Sequence, residues 1–340
     1  MKLVIGASGF LGSHVVRRLV ESGEQVRVLV RDTSDTRGID DLAVERVVGD
    51  LFDATTVSTA LDGCNDVYYC VVDTRAWLTD SEPLFRTNVE ALRAVLDVAV
   101  HADLHSFVFT STLATIGRVT GRAASEADEF NWGDKASDYV RSRVAAENLV
   151  VDYARTRGLP AVAMCVSNTY GSGDWQPTPH GAFVAGAALG KMPFTVRGIR
   201  AESVGIDDAA DALVLAAARG SRGERYIVSE RFIDLGEIIA VAARTAERRP
   251  PRLVLGRLSL YACGAVGSAL AKITGRPRQL TITSVRLMHY MSPMDHGKAE
   301  RELGWRPSPV TDAVAEGARF WIDRSARRRA DRARAGDRRG

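Results

Sequence analysis

Cysteine is scarce in this chain. Four are spread over 340 residues, at positions 64, 70, 165 and 263, with no Cys-x-x-Cys pair. That spacing offers neither a disulfide framework nor a zinc or redox motif, so no metal and a reducing, cytoplasmic setting are expected. Long hydrophobic runs are missing too. The longest candidate membrane segment, Leu258 to Ala271, is uncharged but has only 14 residues, against about 20 needed to span a bilayer. It is expected as a core or interfacial helix, and no integral span is expected anywhere. The Met-Lys start leads straight into a short apolar strand and glycines, without the apolar region and cleavage site of a signal peptide.

An excess of either charge is nearly absent: 45 Lys and Arg stand against 42 Asp and Glu, a formal +3. The balance conceals an uneven distribution. Residues 324–340 hold eight arginines and two aspartates, or +6, which leaves −3 for the body. This tail has no apolar periodicity and reads as solvated and disordered, at most a weak peripheral contact for a membrane. No nucleic-acid partner is expected.

What is present is apolar patterning. At 46% hydrophobic, the chain can bury a large core. Short apolar runs at 2–5, 25–30, 45–48, 66–72, 106–111 and 161–166 alternate with amphipathic stretches. The latter are Leu11 to Glu21, Ala54 to Leu61, about Pro83 to Ala102, and Ser137 to Thr156. This alternation predicts an α/β fold, a doubly wound parallel sheet covered on both faces. After Val166 the texture changes to "SNTYGSGDWQPTP", the composition of a ligand-facing loop. Residues 1–169 are expected to form the nucleotide-binding domain, with 203–229 returning to it. Residues 170–202 and 230–323 would form a smaller C-terminal substrate-binding cap.

"GASGFLG", Gly6 to Gly12, directly follows the first strand and opens the first helix. Glycines there let the backbone turn sharply and approach a pyrophosphate at the positive end of a helix. Ser8, Gly9, Phe10 and Leu11 share this turn and are expected at the cofactor. At the end of the second strand, "VLVRDTSDTR" places Arg31 where a 2′-phosphate would sit, with Arg37 to assist. That favours NADP, whereas Asp32 turned inward would select NAD. Further on, Tyr139 and Arg143 in "YVRSR" lie one helical turn apart on one face.

The G-x-x-G-x-x-G spacing resembles that of the short-chain dehydrogenase/reductase superfamily, specifically its extended branch, with a Rossmann-type sheet. The resemblance covers roughly residues 1–323. "FRTNVEALRAVLDVA", "SVGIDDAADALVLAA", "GERYIVS" and "KAERELGWRPSP" look like further landmarks of that branch. It implies that Asp50 and Leu51 meet the adenine, that Val71 lies beside the cofactor, and that Ser167 meets the nicotinamide carboxamide. It puts the catalytic hydroxyl at Thr112, with Ser111 beside it, and makes Tyr139 the proton-transfer group. It also implies a homodimer through the helices holding residues 83–102 and 137–156.

Relatives carry lysine where this chain has Arg143. A free phenol has a pKa of about 10, and a cation about 4 Å away attracts a tyrosinate by on the order of 4 kcal/mol before desolvation. Arg143 is therefore expected to lower the Tyr139 pKa and hold the ribose, though arginine does not relay protons. Locally the chain is similar to dihydroflavonol-reductase-like proteins, 3β-hydroxysteroid dehydrogenases and a hopanoid-associated sugar-epimerase group. Three readings stay open. The first is an NADP-dependent reductase acting on a small apolar ketone or alcohol. The second is a nucleotide-sugar epimerase with retained NAD, for which Arg197, Arg200, Arg249 and Arg252 are the candidates to bind a diphosphate. The third is a cofactor-binding regulator with weakened catalysis. Trp77, Asn168 and Trp175 are candidates for the substrate wall.

Overall fold

Residue alternation along the first strand sets the architecture. In β1 (Lys2–Ile5), Leu3 and Ile5 enter one core and Val4 the other, because successive side chains leave a strand on opposite faces. Both faces must then be covered, so the strand reads as one apolar run. The computed structural model describes residues 1–78, 80–274, 278, 280–289 and 292–337.

The remaining strands are β2 (Val26–Val30), β3 (Glu45–Val48), β4 (Asp66–Tyr69), β5 (Ser106–Thr112), β6 (Ala161–Val166), β7 (Asn168–Tyr170), β8 (Phe194–Val196), β9 (Arg200–Gly205), β10 (Arg225–Val228), β11 (Arg231–Asp234) and β12 (Leu253–Leu255). Seven of them form the expected parallel sheet, in the order β10-β6-β5-β4-β1-β2-β3. Strand order reverses between β1 and β4, and the crevice at that switch point is where doubly wound sheets bind ligands. β3 is an edge strand and is largely exposed; its Glu45 accepts from Arg27 Nε at 2.8 Å.

One face of the sheet is covered by α1 (Phe10–Glu21) and, far along the chain, α7 (Ile206–Arg219). The other carries α2 (Ala54–Leu61), the interrupted helix α3 (Glu82–Phe85) to α4 (Ala91–Ala99), and α5 (Asp138–Thr156). The single helix expected over 83–102 is split by a π turn at Arg86–Glu90. The turn's Asn88 is fully buried and accepts from the Asp73 N–H at 2.8 Å. It donates to the Asp73 carbonyl and to Ser142 Oγ. The register of the helix yields to those bonds, a common cause of π turns near functional sites.

The cap is a separate core built from α6 (Gly181–Ala188), α8 (Leu235–Thr245) and α11 (Val310–Asp337) around a three-stranded sheet, β11-β9-β7, with the β12-β8 pair beside it. α9 (Arg257–Thr274) and α10 (Ile282–His289) pack on its outside. The expectation of a disordered tail over 324–340 is corrected for residues 324–337, which continue α11, since alanine and arginine favour helix and extending an existing helix costs little; residues 338–340 lie outside the described residues. Arg324 anchors that extension, stacked on Trp175 and Trp321 and donating to the Trp175 carbonyl at 2.8 Å. No helix among the described residues is long and apolar enough to cross a membrane, and none of their side chains cluster as a metal site.

Candidate active site

The glycine turn fits its expected task by sterics. Gly6 has φ +89°, and a Cβ there would lie 2.8 Å from the Cys70 carbonyl carbon and the Val71 nitrogen. A Cβ on Gly12 would lie 2.2 Å from the Gly6 carbonyl oxygen. Neither position accepts a side chain without moving backbone. The helix start is thereby held tight against β1 and β4, with its free N–H groups facing the crevice.

From that crevice a cavity of about 760 Å³ runs between the sheet and the cap. Thr112, Tyr139 and Arg143 share its wall. Thr112 ends β5 and caps the short turn Leu113–Thr115, accepting from the Ala114 N–H at 3.3 Å. Ser137 accepts from the Val140 N–H and starts α5, which places Tyr139 in its first turn and Arg143 one turn deeper. Arg143 is 1% exposed, donates through Nη2 to the Thr110 carbonyl, and stacks on Phe109. Its Nε and Nη1 are buried with no hydrogen-bond partner, as is Ser167 Oγ. Buried donors left unmatched are costly, and two such groups lining one cavity fit the polar atoms of a bound dinucleotide.

The electrostatics differ from the sequence expectation in sign. Burial pushes the Tyr139 phenol above its usual pKa. Arg143 and a hydrogen bond with Thr112 pull it down without winning. The cation acts as predicted, but desolvation of the phenolate is the larger effect. Burial likewise lowers the Arg143 pKa, opposed by Tyr139 and Tyr69. Before a cofactor adds charge, the site holds a protonated phenol, disposed to give a proton rather than take one.

Beneath this trio lies an acid that motif reading passed over. Glu147, 3% exposed and one turn past Arg143, accepts from Ser111 Oγ, from Thr115 Oγ1 at 2.8 Å, from Cys165 Sγ at 3.3 Å and from Arg225 Nη1 at 3.1 Å. It ties β5, β6 and β10 to α5 and so fixes the strand end bearing Thr112. An acidic residue four positions after Arg143, on the buried face of an amphipathic helix, was the available signal.

The cap side of the cavity is mostly apolar, with Phe183, Met192, Phe194, Ile233, Leu235 and Ile238 among its residues beside the polar His180, Lys191 and Glu202. Trp77, Asn168 and Trp175 also line it. Trp175 is held edge-on by Phe320 at 5.0 Å and flanked by Arg37 and Arg324. Loop 171–180 is pinned by Asp174, which accepts from the Thr178 N–H and hydroxyl; burial raises its pKa to about 6.

Comparison with known proteins agrees with this geometry. A family model described as the NAD dependent epimerase/dehydratase family matches residues 2–229, two thirds of the chain. The chain belongs to that family. It is 29% identical over 324 residues to the sterol demethylase protein B of Methylococcus capsulatus, covering 95% of this chain and 98% of that one. It is 30% identical to a putative dihydroflavonol 4-reductase of Synechocystis, covering 94% and 93%. A crystal structure of gox2253 superposes with a TM-score of 0.83 at 33% identity, covering 95% of this chain and 98% of that one. Membership of this epimerase/dehydratase family, the extended short-chain dehydrogenase/reductase branch, makes the chain an NAD(P)-binding enzyme of small molecules.

Within this family frame, the structure gathers Ser8, Gly9, Phe10, Leu11, Gly12, Ser111, Thr112, Tyr139, Arg143 and Ser167 along one cavity, with Gly6 directly behind. It leaves others outside. Arg37 is paired with Asp35 and stacked on Trp175, so its charge is already matched locally. Arg31 is exposed at the end of β2, and Asp32 turns to the Thr33 N–H instead of the crevice. Asp50 is exposed and accepts from the Phe52 N–H. Leu51 and Val71 pack against the core of the α2 and α4 face, while the neighbouring Val72 reaches the cavity. The expectation for Ser111 needs correction in one respect: it lines the cavity, but its hydroxyl is committed to Glu147.

Proposed function

We propose that the protein is an NADP-dependent reductase that interconverts a ketone and a secondary alcohol on an apolar small molecule, sterol-like or flavonoid-like. The observation that carries this reading is the apolar cap wall facing Thr112 and Tyr139 across one cavity. Arg197, Arg200, Arg249 and Arg252, the candidates for a sugar-nucleotide diphosphate, do not line that cavity, which weighs against the epimerase reading. The names of the two curated relatives, a sterol demethylase protein and a putative dihydroflavonol reductase, point the same way.

When bound, the nicotinamide supplies or takes up hydride. The Thr112 hydroxyl hydrogen-bonds the substrate oxygen and fixes its position. Tyr139 passes its phenolic proton to that oxygen as the carbonyl is reduced, and Arg143 stabilises the phenolate that remains. The free Nε and Nη1 of Arg143 serve the ribose hydroxyls, and Ser167 Oγ the carboxamide. Arg31 is the cation for a 2′-phosphate, while Arg37 needs to leave Asp35 to contribute.

Fluorescence titration with NADPH and NADH tests the cofactor. NADPH should bind at least about tenfold tighter, a margin that Arg31→Ala removes, as expected for one charge-assisted contact. Equal affinities would refute the Arg31 assignment. A substrate screen tests the chemistry: turnover of steroid or flavonoid ketones supports the proposal, and turnover confined to sugar nucleotides contradicts it.

A further inference from the structure

Between Glu247 and Asp295 the chain contains no aspartate or glutamate and eight arginines and lysines. The other residues hold 37 basic against 42 acidic side chains, so this stretch and the arginine-rich 324–340 segment are the two regions of concentrated positive charge. It includes α9, α10 and the β12 strand.

α9 is also where large apolar side chains stand in solvent. Leu258 is 86% exposed, Ile273 79%, Val266 60% and Leu270 40%. They fall at helical spacing along one face together with exposed Ala262 and Ala269, and no charge interrupts that face between Arg257 and Lys272. Leu253 and Val254 of β12, a few residues before α9, are exposed as well. The opposite face is fixed inward. A Cβ on Gly267 would lie 2.0 Å from the Leu280 carbonyl oxygen, and one on Gly264 3.0 Å from that of Thr281. Such close packing against residues 280–282 holds the apolar face outward.

We propose that this surface docks the protein on an anionic phospholipid bilayer, with α9 lying in the plane of the interface. Exposed Arg252, Arg257, Lys272, Arg278 and Arg286 supply the attraction to anionic headgroups. The uncharged helix face supplies the insertion, as in interfacial helices. The 14-residue uncharged run is too short to span a bilayer. A second copy of the chain fits poorly, because a two-fold contact would set this acid-free surface against itself. The surface adjoins the cavity: Leu260, on the inner side of α9, and Leu280 both line it. An apolar molecule could thus pass from the bilayer into the cavity beside a shared wall. The docking itself does not depend on the reductase reading.

Flotation of the full chain with vesicles tests the proposal. Binding is expected to vesicles of phosphatidylcholine and phosphatidylglycerol in equal parts, and not to phosphatidylcholine alone. Leu258→Glu and Ile273→Glu should each weaken it by roughly tenfold, the cost of withdrawing one large side chain from the interface. NADPH affinity, read on the same samples, should stay unchanged and so report intact folding. Replacing Arg327, Arg328 and Arg329 together by glutamine should leave most of the binding in place. Three results would overturn the proposal. They are no binding to the anionic vesicles, binding that survives both glutamates but falls with the α11 arginines, or a solution oligomer that Leu258→Glu splits.

Discussion

The two halves of this molecule place their chemistry by opposite means. In the nucleotide half, each group stands at a strand end or a helix start, and backbone contacts dictate its position. Gly6 and Gly12 have no room for a side chain, and Thr112 and Tyr139 are set by a strand end and a helix start. In the cap, the cavity wall is assembled from side chains of α6, α8, β8, β11 and α9, none holding a position that a motif would require. Under the proposed function, the contrast teaches where tolerance lies: reaction and cofactor would depend on narrow geometry, and substrate choice on shape and apolar area.

Substitutions can break or sharpen that contrast, and the largest effect is expected at Tyr139. Tyr139→Phe should lower kcat by about 10²- to 10⁴-fold, the usual worth of a positioned proton donor, with cofactor affinity nearly unchanged in a fluorescence titration. A mild loss would move the chemistry elsewhere in the nucleotide half.

Asp174, on the loop between the halves, comes next. Burial raises its folded pKa to about 6, above the usual carboxyl value of about 3.9. The folded state therefore holds more protons than the unfolded state between those values, and stability must fall as pH rises through that window. Asp174→Asn should leave stability near pH 4 unchanged and raise it near neutrality by roughly 2–3 kcal/mol at most. Denaturant unfolding at both pH values checks this, and an equal difference at each would mean the carboxyl does not titrate there.

Arg143→Met is expected to act more gently, about tenfold on kcat. The cation pulls the phenol pKa down against burial, so its removal should shift the rising limb of the pH profile for alcohol oxidation, where the phenolate takes the proton, to higher pH. A shift to lower pH would reverse the sign argued for the pair. The smallest effect belongs to the cap. Phe194→Leu should change KM for an apolar ketone by no more than about tenfold and leave kcat nearly intact, since pocket contacts of this size are worth little discrimination.

Much of the fold was legible because buried strands must be apolar on both faces and glycines must precede the first helix. The extent of the described sheet and the course of α5 follow from those patterns. The π turn at Arg86–Glu90 was hidden, because it answers to Asn88 bonding residues 73 and 142, which are distant in sequence. The helical tail was misread because a missing apolar stripe says nothing against alanine–arginine helix propensity. Arg37 illustrates a subtler limit: an acid two residues away captures it, and a strand-end motif cannot anticipate that choice. The net effect on Tyr139 was also beyond sequence, since a cation's pull is visible in the i, i+4 spacing but the opposing desolvation exists only in the folded cavity.

The most direct test of the central claim, net reduction of an apolar ketone at Tyr139, is isotope transfer from NADPH carrying deuterium at the hydride position. The wild-type protein should consume the cofactor in step with product and place the deuterium on the new carbinol carbon, and Tyr139→Phe should slow the transfer by about 10²- to 10⁴-fold. Inversion of a sugar nucleotide with no net consumption of NADPH would contradict the account.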